Sequence, residues 1–543
     1  MDIHTIKKME KEAIKGSQFD FIRLGMALLF IVIVFMYSFT TSGGVPNSAF
    51  LSVAALFGAY MAMNIGANDV ANNVGPAVGS KALTMGGAIA IAVIFEAAGA
   101  LIAGGDVVKT IKKGIIDIAM FGGNTNEFIY AMMAALLAAA IWLNFATYLK
   151  APVSTTHSIV GGVMGAGIAA AGFSIVAWGT MGKIAASWII SPVLGGAIAA
   201  IFLISIKKTI VYKEDKIKAS VKWVPIFVSI MSWAFVTYLT LKGLKKIWPK
   251  IVSILTFLPH DKKPTFMVAA IFGLIIAVLV YIIVQSSMKR RANTIENSRA
   301  GVNLLFTAPL IFAAALLSFA HGANDVANAI GPLAAISDAV MSGGISSKAT
   351  IPLWVLGVGA FGIAVGLALY GPKLIRTVGS EITELDQMRA FSVAMAAAIT
   401  VIIASQLGLP VSSTHIAVGG IFGVGFLREY LDSSSNEQRI ADKEEVMTDE
   451  KRRLKALHAE LSALHEKASK EKGDYERVVE LYEMIEEEET SLKAMKKELK
   501  NAKKKKYVKR DAVKKIIAAW LITVPAAAML SALIYFTIRG ISV

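Results

Sequence analysis

Long apolar stretches separated by short polar segments dominate the chain. They lie at residues 25–37, 88–103, 128–148, 193–206, 266–284, 304–319, 353–369, 391–403 and 516–538. Because their lengths approach the ~20 residues that a helix needs to cross a bilayer, they predict an all-α polytopic membrane protein. We interpret the first stretch as a retained helix rather than a removed signal peptide, since no small-residue cleavage site follows it.

Two polar signatures interrupt this pattern, and each occurs twice. The sequence Gly-Ala-Asn-Asp-Val-Ala-Asn stands at 66–72 and at 322–328. Pro-Val-Ser-Thr-Thr-His at 152–157 returns as Pro-Val-Ser-Ser-Thr-His at 410–415. The copies are displaced by 256 and 258 residues, so the chain is an internal duplication of a large unit.

The duplication and the polarity of the connecting segments predict how the chain is organised. We expect a basic leader, two transmembrane repeats, a linker with two spans, a charged soluble insert and a last transmembrane helix. In chain order, the leader is 1–20, the first repeat 21–205, the linker 206–299, the second repeat 300–432, the insert 433–511 and the last helix 512–543.

The insert has a heptad pattern. Leu454, Leu457, Leu461 and Leu464 are spaced by three, four and three residues, which is typical of a coiled-coil seam. A turn predicted at 472–474 is followed by a second stretch with similar spacing. We expect a soluble antiparallel helical hairpin; the alternative is a single long, kinked, solvated helix.

Composition supports the membrane assignment and narrows the function. Hydrophobic residues make up 55% of the chain and charged residues only 17%, against about a quarter in soluble proteins. The net charge of +16 lies in clusters that flank the apolar stretches, as expected of cytoplasmic loops, and does not indicate nucleic-acid binding. By the same rule we expect the insert in the cytoplasm. Cysteine is absent, which excludes disulfides and thiolate metal sites. No nucleotide-binding loop, metalloprotease helix or nucleophile elbow is present, so we predict no enzyme.

Carboxylates inside apolar segments are the first candidates for chemistry. Asp69 and Asp325 stand beside Asn68 and Asn324. An ionised aspartate at the bilayer centre costs about 3 kcal/mol, so each needs a partner, and no Lys or Arg is near in sequence. The Gly-Pro pairs that follow, at 75–76 and 331–332, should break both helices and free carbonyl oxygens for a hard cation such as Na⁺. The alternative is a polar packing cluster with protonated aspartates.

Glu96 is a third intramembrane carboxylate. It lies in the apolar sequence Ile-Phe-Glu-Ala-Ala at 94–98 and is a candidate cation ligand or proton carrier. A protonated glutamate that makes an interhelical hydrogen bond is the alternative.

The second signature predicts an oxyanion site. Ser and Thr are preferred at helix N-caps, and a helix N-terminus carries free N–H groups and partial positive charge. Hydroxyl groups of both copies could therefore donate to a tetrahedral oxyanion from two sides; they belong to Ser154, Thr155, Thr156, Ser412, Ser413 and Thr414. The alternative is a pair of ordinary helix caps. For His157 and His415 we expect a structural hydrogen-bonding role, with a proton-linked role as the alternative. His321 precedes only the second Asn-Asp motif, where the first copy has Ile65, and is a weak signal.

On these twinned motifs the chain resembles the inorganic phosphate transporter family, the sodium- or proton-coupled phosphate permeases. Residues 94–96 and 110–117 add to the resemblance. It implies repeats of inverted topology, phosphate held between two re-entrant hairpins, sodium sites at the Asn-Asp motifs, and a homodimer. Met132 and Ala394 stand where certain relatives carry a further glutamate, which leaves the cation stoichiometry open.

The sequence thus predicts a multi-pass protein of the cell membrane that imports inorganic phosphate by Na⁺ symport, without a cofactor. Proton coupling, transport of sulfate or another oxyanion, and an anion sensor acting through the hairpin stay as alternatives. We assign phosphate binding to Asp69, Asn72, Ser154, Thr155, Thr156, Asp325, Asn328, Ser412, Ser413 and Thr414. We assign Na⁺ binding to Asn68, Asp69, Glu96, Asn324 and Asp325.

Overall fold

The computed structural model describes residues 3–542 apart from 150, 152, 246, 257, 346–350, 382–384, 467–471 and 505–509. Within this part the protein is α-helical and has no strand beyond one isolated bridge. The helices up to the end of the first repeat are α1 (Ile3–Thr41), α2 (Ser48–Asn68), α3 (Val70–Gly79), α4 (Met85–Ala103), α5 (Gly105–Lys113), α6 (Thr125–Tyr148), α7 (Thr155–Ala171) and α8 (Trp178–Ile206). Those that follow are α9 (Lys216–Gly243), α10 (Trp248–Ile254), α11 (Phe266–Ala292), α12 (Arg299–Leu305), α13 (Thr307–Ser342), α14 (Leu353–Glu381), α15 (Gln387–Gln406), α16 (Ser413–Glu466), α17 (Lys472–Lys504) and α18 (Arg510–Ser542).

Membrane-crossing segments account for most of this architecture. Among the described residues, 11 helical segments are long and apolar enough to cross a membrane. The prediction of an all-α polytopic membrane protein is therefore confirmed. Two of these segments, α9 and α11, lie between residues 206 and 299.

The expected break at the Asn-Asp motifs is largely absent, and that prediction is wrong for the second copy. Asn324 and Asp325 lie inside α13, which continues through Pro332. In the first copy the interruption is limited to Asp69, whose φ of −82° and ψ of −37° are still helical. A proline removes one backbone hydrogen bond, and a membrane helix packed among neighbours can continue past it.

The helices α6 and α7 form a hairpin whose two ends meet. The segment before α6 and the segment after α7 are joined through Asp117 N–H, which donates to Ile175 O at 2.7 Å, and Ala177 N–H, which donates to Ile115 O at 2.9 Å. The polypeptide therefore enters and leaves this hairpin on the same side, with Leu149, Ala151 and Ser154 at its tip.

Glycine brings α7 and α16 each close to a neighbouring helix. A Cβ built on Gly165 of α7 would lie 2.1 Å from Ala528 O of α18. A Cβ on Gly423 of α16 would equally lie 2.1 Å from Gly196 O of α8. Small residues are thus required where α18 supports the first hairpin and α8 supports α16.

The chain divides into two compact units, Met1–Val424 with Arg510–Val543, and Gly425–Lys509. Within the second unit α16 and α17 pack together around Leu461, Leu481 and Ile485. Ion pairs join Lys443 to Glu498 at 2.6 Å and Arg477 to Glu460 at 2.9 Å. The turn predicted at 472–474 is wrong, because α17 already begins at Lys472; residues 467–471 lie outside the described part.

Candidate cation and oxyanion site

The two Asn-Asp motifs lie in the interior of the first unit. Asn68 ends α2 and Asp69 stands between α2 and α3, whereas Asn324 and Asp325 lie within α13. All four side chains are buried. The helices that carry them, α2, α3 and α13, contact one another.

The serine motifs begin two helices, as the sequence predicts. Ser154 is the N-cap of α7, and its Oγ accepts a hydrogen bond from His157 N–H at 3.1 Å. At the start of α16, Ser412 Oγ accepts from His415 N–H at 3.2 Å. The first turns of α7 and α16 thus present hydroxyl groups from two separate hairpin tips.

In each half of the membrane unit (residues 21–205 and 300–432), the first asparagine of the Asn-Asp motif donates hydrogen bonds to the segment that precedes the serine motif. Asn68 Nδ2 donates to Thr147 Oγ1 at 2.9 Å and to Ala151 O at 3.3 Å. In the second half Asn324 Nδ2 donates to Ser405 Oγ at 2.9 Å and to Leu409 O at 3.3 Å. The same contacts, at positions displaced by about the repeat length, give the two halves the same local geometry.

Each aspartate accepts a hydrogen bond from a hydroxyl group of its own half. Thr155 Oγ1 donates to Asp69 Oδ2 at 2.5 Å, and Ser413 Oγ donates to Asp325 Oδ2 at 2.8 Å. The bond from Thr155 has the short length typical of a hydroxyl group that donates to a carboxylate. The hydroxyls predicted for an oxyanion and the carboxylates predicted for a cation are therefore direct neighbours.

The second asparagine of each motif contacts the opposite half. Asn72 Nδ2 donates to Thr414 Oγ1 at 2.9 Å, and Asn328 Nδ2 donates to Thr156 Oγ1 at 3.1 Å. Since Thr414 and Thr156 occupy matching positions in the two copies, the halves are joined by an exchanged pair of contacts. Thr414 Oγ1 also donates to Asp69 Oδ1 at 3.0 Å across the same junction.

The asparagine side chains leave oxygen atoms available. Each of these amide nitrogens donates a hydrogen bond, yet among the described residues the amide oxygens of Asn68, Asn72, Asn73, Asn324 and Asn328 have no hydrogen-bond partner, and neither has Asp325 Oδ1. Buried polar atoms are nearly always satisfied, so this concentration of unsatisfied oxygens is unusual. Carboxylate and amide oxygens suit a hard cation, and this donor set fits Na⁺.

His321 lies at the centre of the site, although the sequence indicates it only weakly. His321 Nδ1 lies 2.7 Å from Glu96 Oε2, and His321 Nε2 lies 2.9 Å from Asp325 Oδ2. Asn73 Nδ2 donates to Glu96 Oε1 at 2.7 Å. The one available signal was that His321 stands four residues before Asp325 and so shares its helix face.

Ligand atoms of Asp69, His321 and Asp325 lie within 4.8 Å of one another. When Asp69, Asp325 and Glu96 are ionised, a single imidazolium cannot balance three carboxylates in a buried site. Bound cations would supply the missing positive charge.

The rings of His157 and His415 take part in packing. His157 lies 3.8 Å from Trp188 and His415 lies 3.5 Å from Trp520, measured between ring centroids. Neither ring nitrogen of His415 has a hydrogen-bond partner in the described part of the chain. The hydrogen bonds predicted for His415 are thus replaced by contacts with aromatic rings. Met132 and Ala394 are buried among apolar neighbours.

Comparison with known proteins finds similar sequences over most of the chain. A model described as the phosphate transporter family matches residues 65–531. A Helicobacter pylori (strain J99) protein named "Putative phosphate permease" is 48% identical over 98% of both chains. A Pyrococcus abyssi relative with the same description is 38% identical over 70% of this chain and 89% of its own. A solved structure titled "The sodium-dependent phosphate transporter" is 30% identical with a TM-score of 0.69, covering 91% of this chain and 99% of that one.

Proposed function

Because this chain belongs to the phosphate transporter family, we propose that it imports inorganic phosphate across the cell membrane by symport with Na⁺. The protein is a multi-pass membrane transporter and not an enzyme. The observation that carries the proposal is the junction of the two halves, where Asn72 binds Thr414 and Asn328 binds Thr156. Carboxylate and amide oxygens that could bind a cation, and hydroxyl groups that could bind an anion, lie together there in one buried site.

The order of binding follows from charge. The hydroxyl groups of Thr155 and Ser413 donate hydrogen bonds to Asp69 and Asp325. A phosphate dianion cannot enter a low-dielectric site beside these carboxylates unless cations offset their charge. Sodium bound to the carboxylate and amide oxygens would do so, and the hydroxyls could then turn to the incoming oxyanion.

The phosphate itself would lie at the tips of α7 and α16. Helix N-termini offer N–H groups and partial positive charge to an anion. The hydroxyls of Ser154, Thr155 and Thr156 and those of Ser412, Ser413 and Thr414 would surround it from two sides. Asp69, Asn72, Asp325 and Asn328 complete the proposed set, since hydrogen phosphate can donate a proton to a carboxylate.

Sulfate is the second candidate substrate, and the carboxylates argue against it. Sulfate only accepts hydrogen bonds, so it gains nothing from Asp69 or Asp325 and is repelled by both. Arsenate should compete with phosphate because it has the same shape and protonation. If sulfate suppressed uptake and arsenate did not, the phosphate assignment would be wrong.

Alternating access would follow from inverted repeats that rock around the buried site. The matching contacts of Asn68 and Asn324, and the exchanged contacts of Asn72 and Asn328, support a two-fold relation between the halves. Inward movement of net positive charge would gain about 2.3 kcal/mol per charge for each 100 mV of membrane potential. We propose that the transporter works as a homodimer.

The alternative function, an anion sensor, would depend on the paired helices α16 and α17. Their apolar contacts and ion pairs support a coiled-coil hairpin, which we propose to lie in the cytoplasm. Such a hairpin could report occupancy of the site to another protein. The complete cation and anion donor sets favour transport over sensing alone.

Uptake of radiolabelled phosphate by proteoliposomes tests the proposal. An inward Na⁺ gradient should drive accumulation, and a proton gradient of equal size should not. Accumulation driven only by protons would replace Na⁺ with H⁺ as the coupling ion. Absence of phosphate accumulation under both gradients would contradict transport.

A further inference from the structure

A cavity of about 420 Å³ lies beside the proposed site, between α1, α2, α6 and α14. Ala67 and Thr147 belong to its wall. Thr147 is also the residue whose Oγ1 accepts the hydrogen bond from Asn68, at 2.9 Å. The cavity therefore reaches to within one side chain of the Asn-Asp motif.

The lining of this cavity is mixed in polarity. It carries amide, hydroxyl and ammonium groups among apolar side chains, from Tyr60, Asn64, Asn144, Tyr148, Tyr370 and Lys373. The lining surface is mostly apolar, and its polar groups offer a hydrated ion in transit a few hydrogen-bond partners.

The matching region of the other half is filled. By the repeat displacement, Phe319 of α13 matches Met63, and Ile402 of α15 matches Asn144. Phe319 packs against Phe235 of α9, with ring centroids 5.2 Å apart. Asn144 is exposed, whereas Ile402 retains only 8% exposure.

The helix that fills this region, α9, belongs to the linker between the repeats. Tyr238 of α9 adds a second contact to Phe319, at 6.4 Å between ring centroids. α9 packs against α4 and α13, as α1 packs against the matching helices α14 and α2. The side facing α1 holds a cavity, and the side facing α9 is closed by aromatic rings.

We propose that the cavity is the route by which phosphate and its coupling cation leave the site for the cytoplasm, and that Phe235 and Tyr238 of α9 close the matching extracellular route. This inference rests on the proposed transport function. The cytoplasmic direction follows from α1, because the cavity touches residues 24–31, the half of the span next to the basic leader. Basic segments stay on the cytoplasmic side.

The absence of cysteine from the chain gives a direct test. Asn144→Cys and its matched control Ile402→Cys would each be introduced singly and treated with a membrane-impermeant thiol reagent from one face at a time. Asn144→Cys should react when the reagent is applied to the cytoplasmic face. Ile402→Cys should react slowly from both faces, because its position is buried.

Closure of the extracellular route by Phe235 is tested in the Ile402→Cys variant. Adding Phe235→Ala should raise its reaction rate from the extracellular face by about tenfold, the effect of shifting an opening equilibrium by about 1.4 kcal/mol. Phe235→Leu keeps an apolar side chain at the contact and should leave the rate low. A rise of the same size in Phe235→Leu would point to general disturbance of the packing around α9 and would contradict the proposed closure.

The labelling results test the proposed route, and they can fail independently of the proposed transport function. If Asn144→Cys reacted only from the extracellular face, or no faster than Ile402→Cys, the proposed route would be wrong. Slow reaction of Asn144→Cys would indicate that lipid fills the cavity, because the polar reagent reacts only with an ionised thiol in contact with water. Phosphate uptake by the unmodified protein in the same vesicles tests transport independently of the labelling.

Discussion

The imidazole rings of His157 and His415 meet edge to face, with their centroids 4.4 Å apart. Each closes one copy of the serine motif, and each is backed by a tryptophan, Trp188 or Trp520. The tips of α7 and α16 are thus joined by a row of four rings beside the proposed oxyanion site. Any movement that separates the two halves must break or slide this contact.

Ring packing at His415 should matter more than its nitrogen atoms. His415→Ala would leave a cavity between His157 and Trp520 and should reduce stability by about 3 kcal/mol. His415→Phe keeps an aromatic ring and should lose much less. Thermal unfolding of both variants in detergent checks this. Equal losses would indicate that the imidazole nitrogens stabilise the protein, for example through water.

Removing the charge of either aspartate should abolish cation-driven uptake. Asp69→Asn and Asp325→Asn keep the size of the side chain but remove the charge that would hold a cation. Sodium dependence of phosphate uptake is the measurement. Asp117→Asn is the matched control, because Asp117 caps a short 3₁₀ helix away from the site and Asn caps equally well. Normal sodium dependence in either site variant would remove that residue from the cation sites.

The contact between Glu96 and His321 should behave as a buried ion pair. His321→Ile alone leaves Glu96 without its imidazole partner and should cost about 3–5 kcal/mol of stability. The double variant His321→Ile with Glu96→Ile should recover most of this loss. In the other half Ile65 and Ile363 stand at the matching positions, since Gly66 meets the backbone of Ile363 as Gly322 meets that of Glu96.

Thermal stability of the single and double variants, measured side by side, distinguishes the possibilities. A double variant no more stable than His321→Ile would show that the two residues are not coupled. Phosphate uptake of Glu96→Gln adds a separate readout, because a cation ligand should be needed for transport as well as for folding.

Hydroxyl groups at the hairpin tips should contribute to phosphate affinity. Thr414→Val keeps the shape but removes a donor beside Asp69, which should cost about 2 kcal/mol, or about thirtyfold in KM for phosphate. Thr400→Val is the control, since Thr400 Oγ1 donates to Ala396 O within α15. An unchanged KM for Thr414→Val would exclude this hydroxyl from the phosphate site.

Deleting residues 436–505 separates transport from sensing. The residues of the proposed site all belong to the other compact unit, so phosphate uptake should persist after the deletion. Uptake kinetics of the deleted and full chains are the measurement. Loss of uptake in a variant that still reaches the membrane in normal amounts would show that the insert takes part in transport.

Much of the site could be predicted because duplication makes a rare pattern visible. Residue type and position alone indicate that Asp69 and Asp325 are intramembrane carboxylates and that Ser154 is a helix cap. The capping contact of Ser154 is confirmed. The break expected in α13 failed, because neighbouring helices, which the local pattern does not contain, hold the segment around Pro332 helical.

His321 shows where sequence reasoning ends. Its partner Glu96 lies 225 residues away, and no spacing rule connects two positions on different helices. The same is true of Asn72 and Thr414, whose contact depends on how the two halves meet.

By itself the sequence determined the apolar segments, the duplication and the kinds of ligand atom, because hydropathy and residue chemistry are properties of single positions and short spacings. Only the tertiary structure decided which atoms meet. It set the exchanged contacts between the halves and the position of the His321 imidazole between two carboxylates. It also set the cavity beside α1 and the aromatic packing beside α9. Those depend on distances in space between helices remote in the chain, which the packing of the whole membrane domain sets.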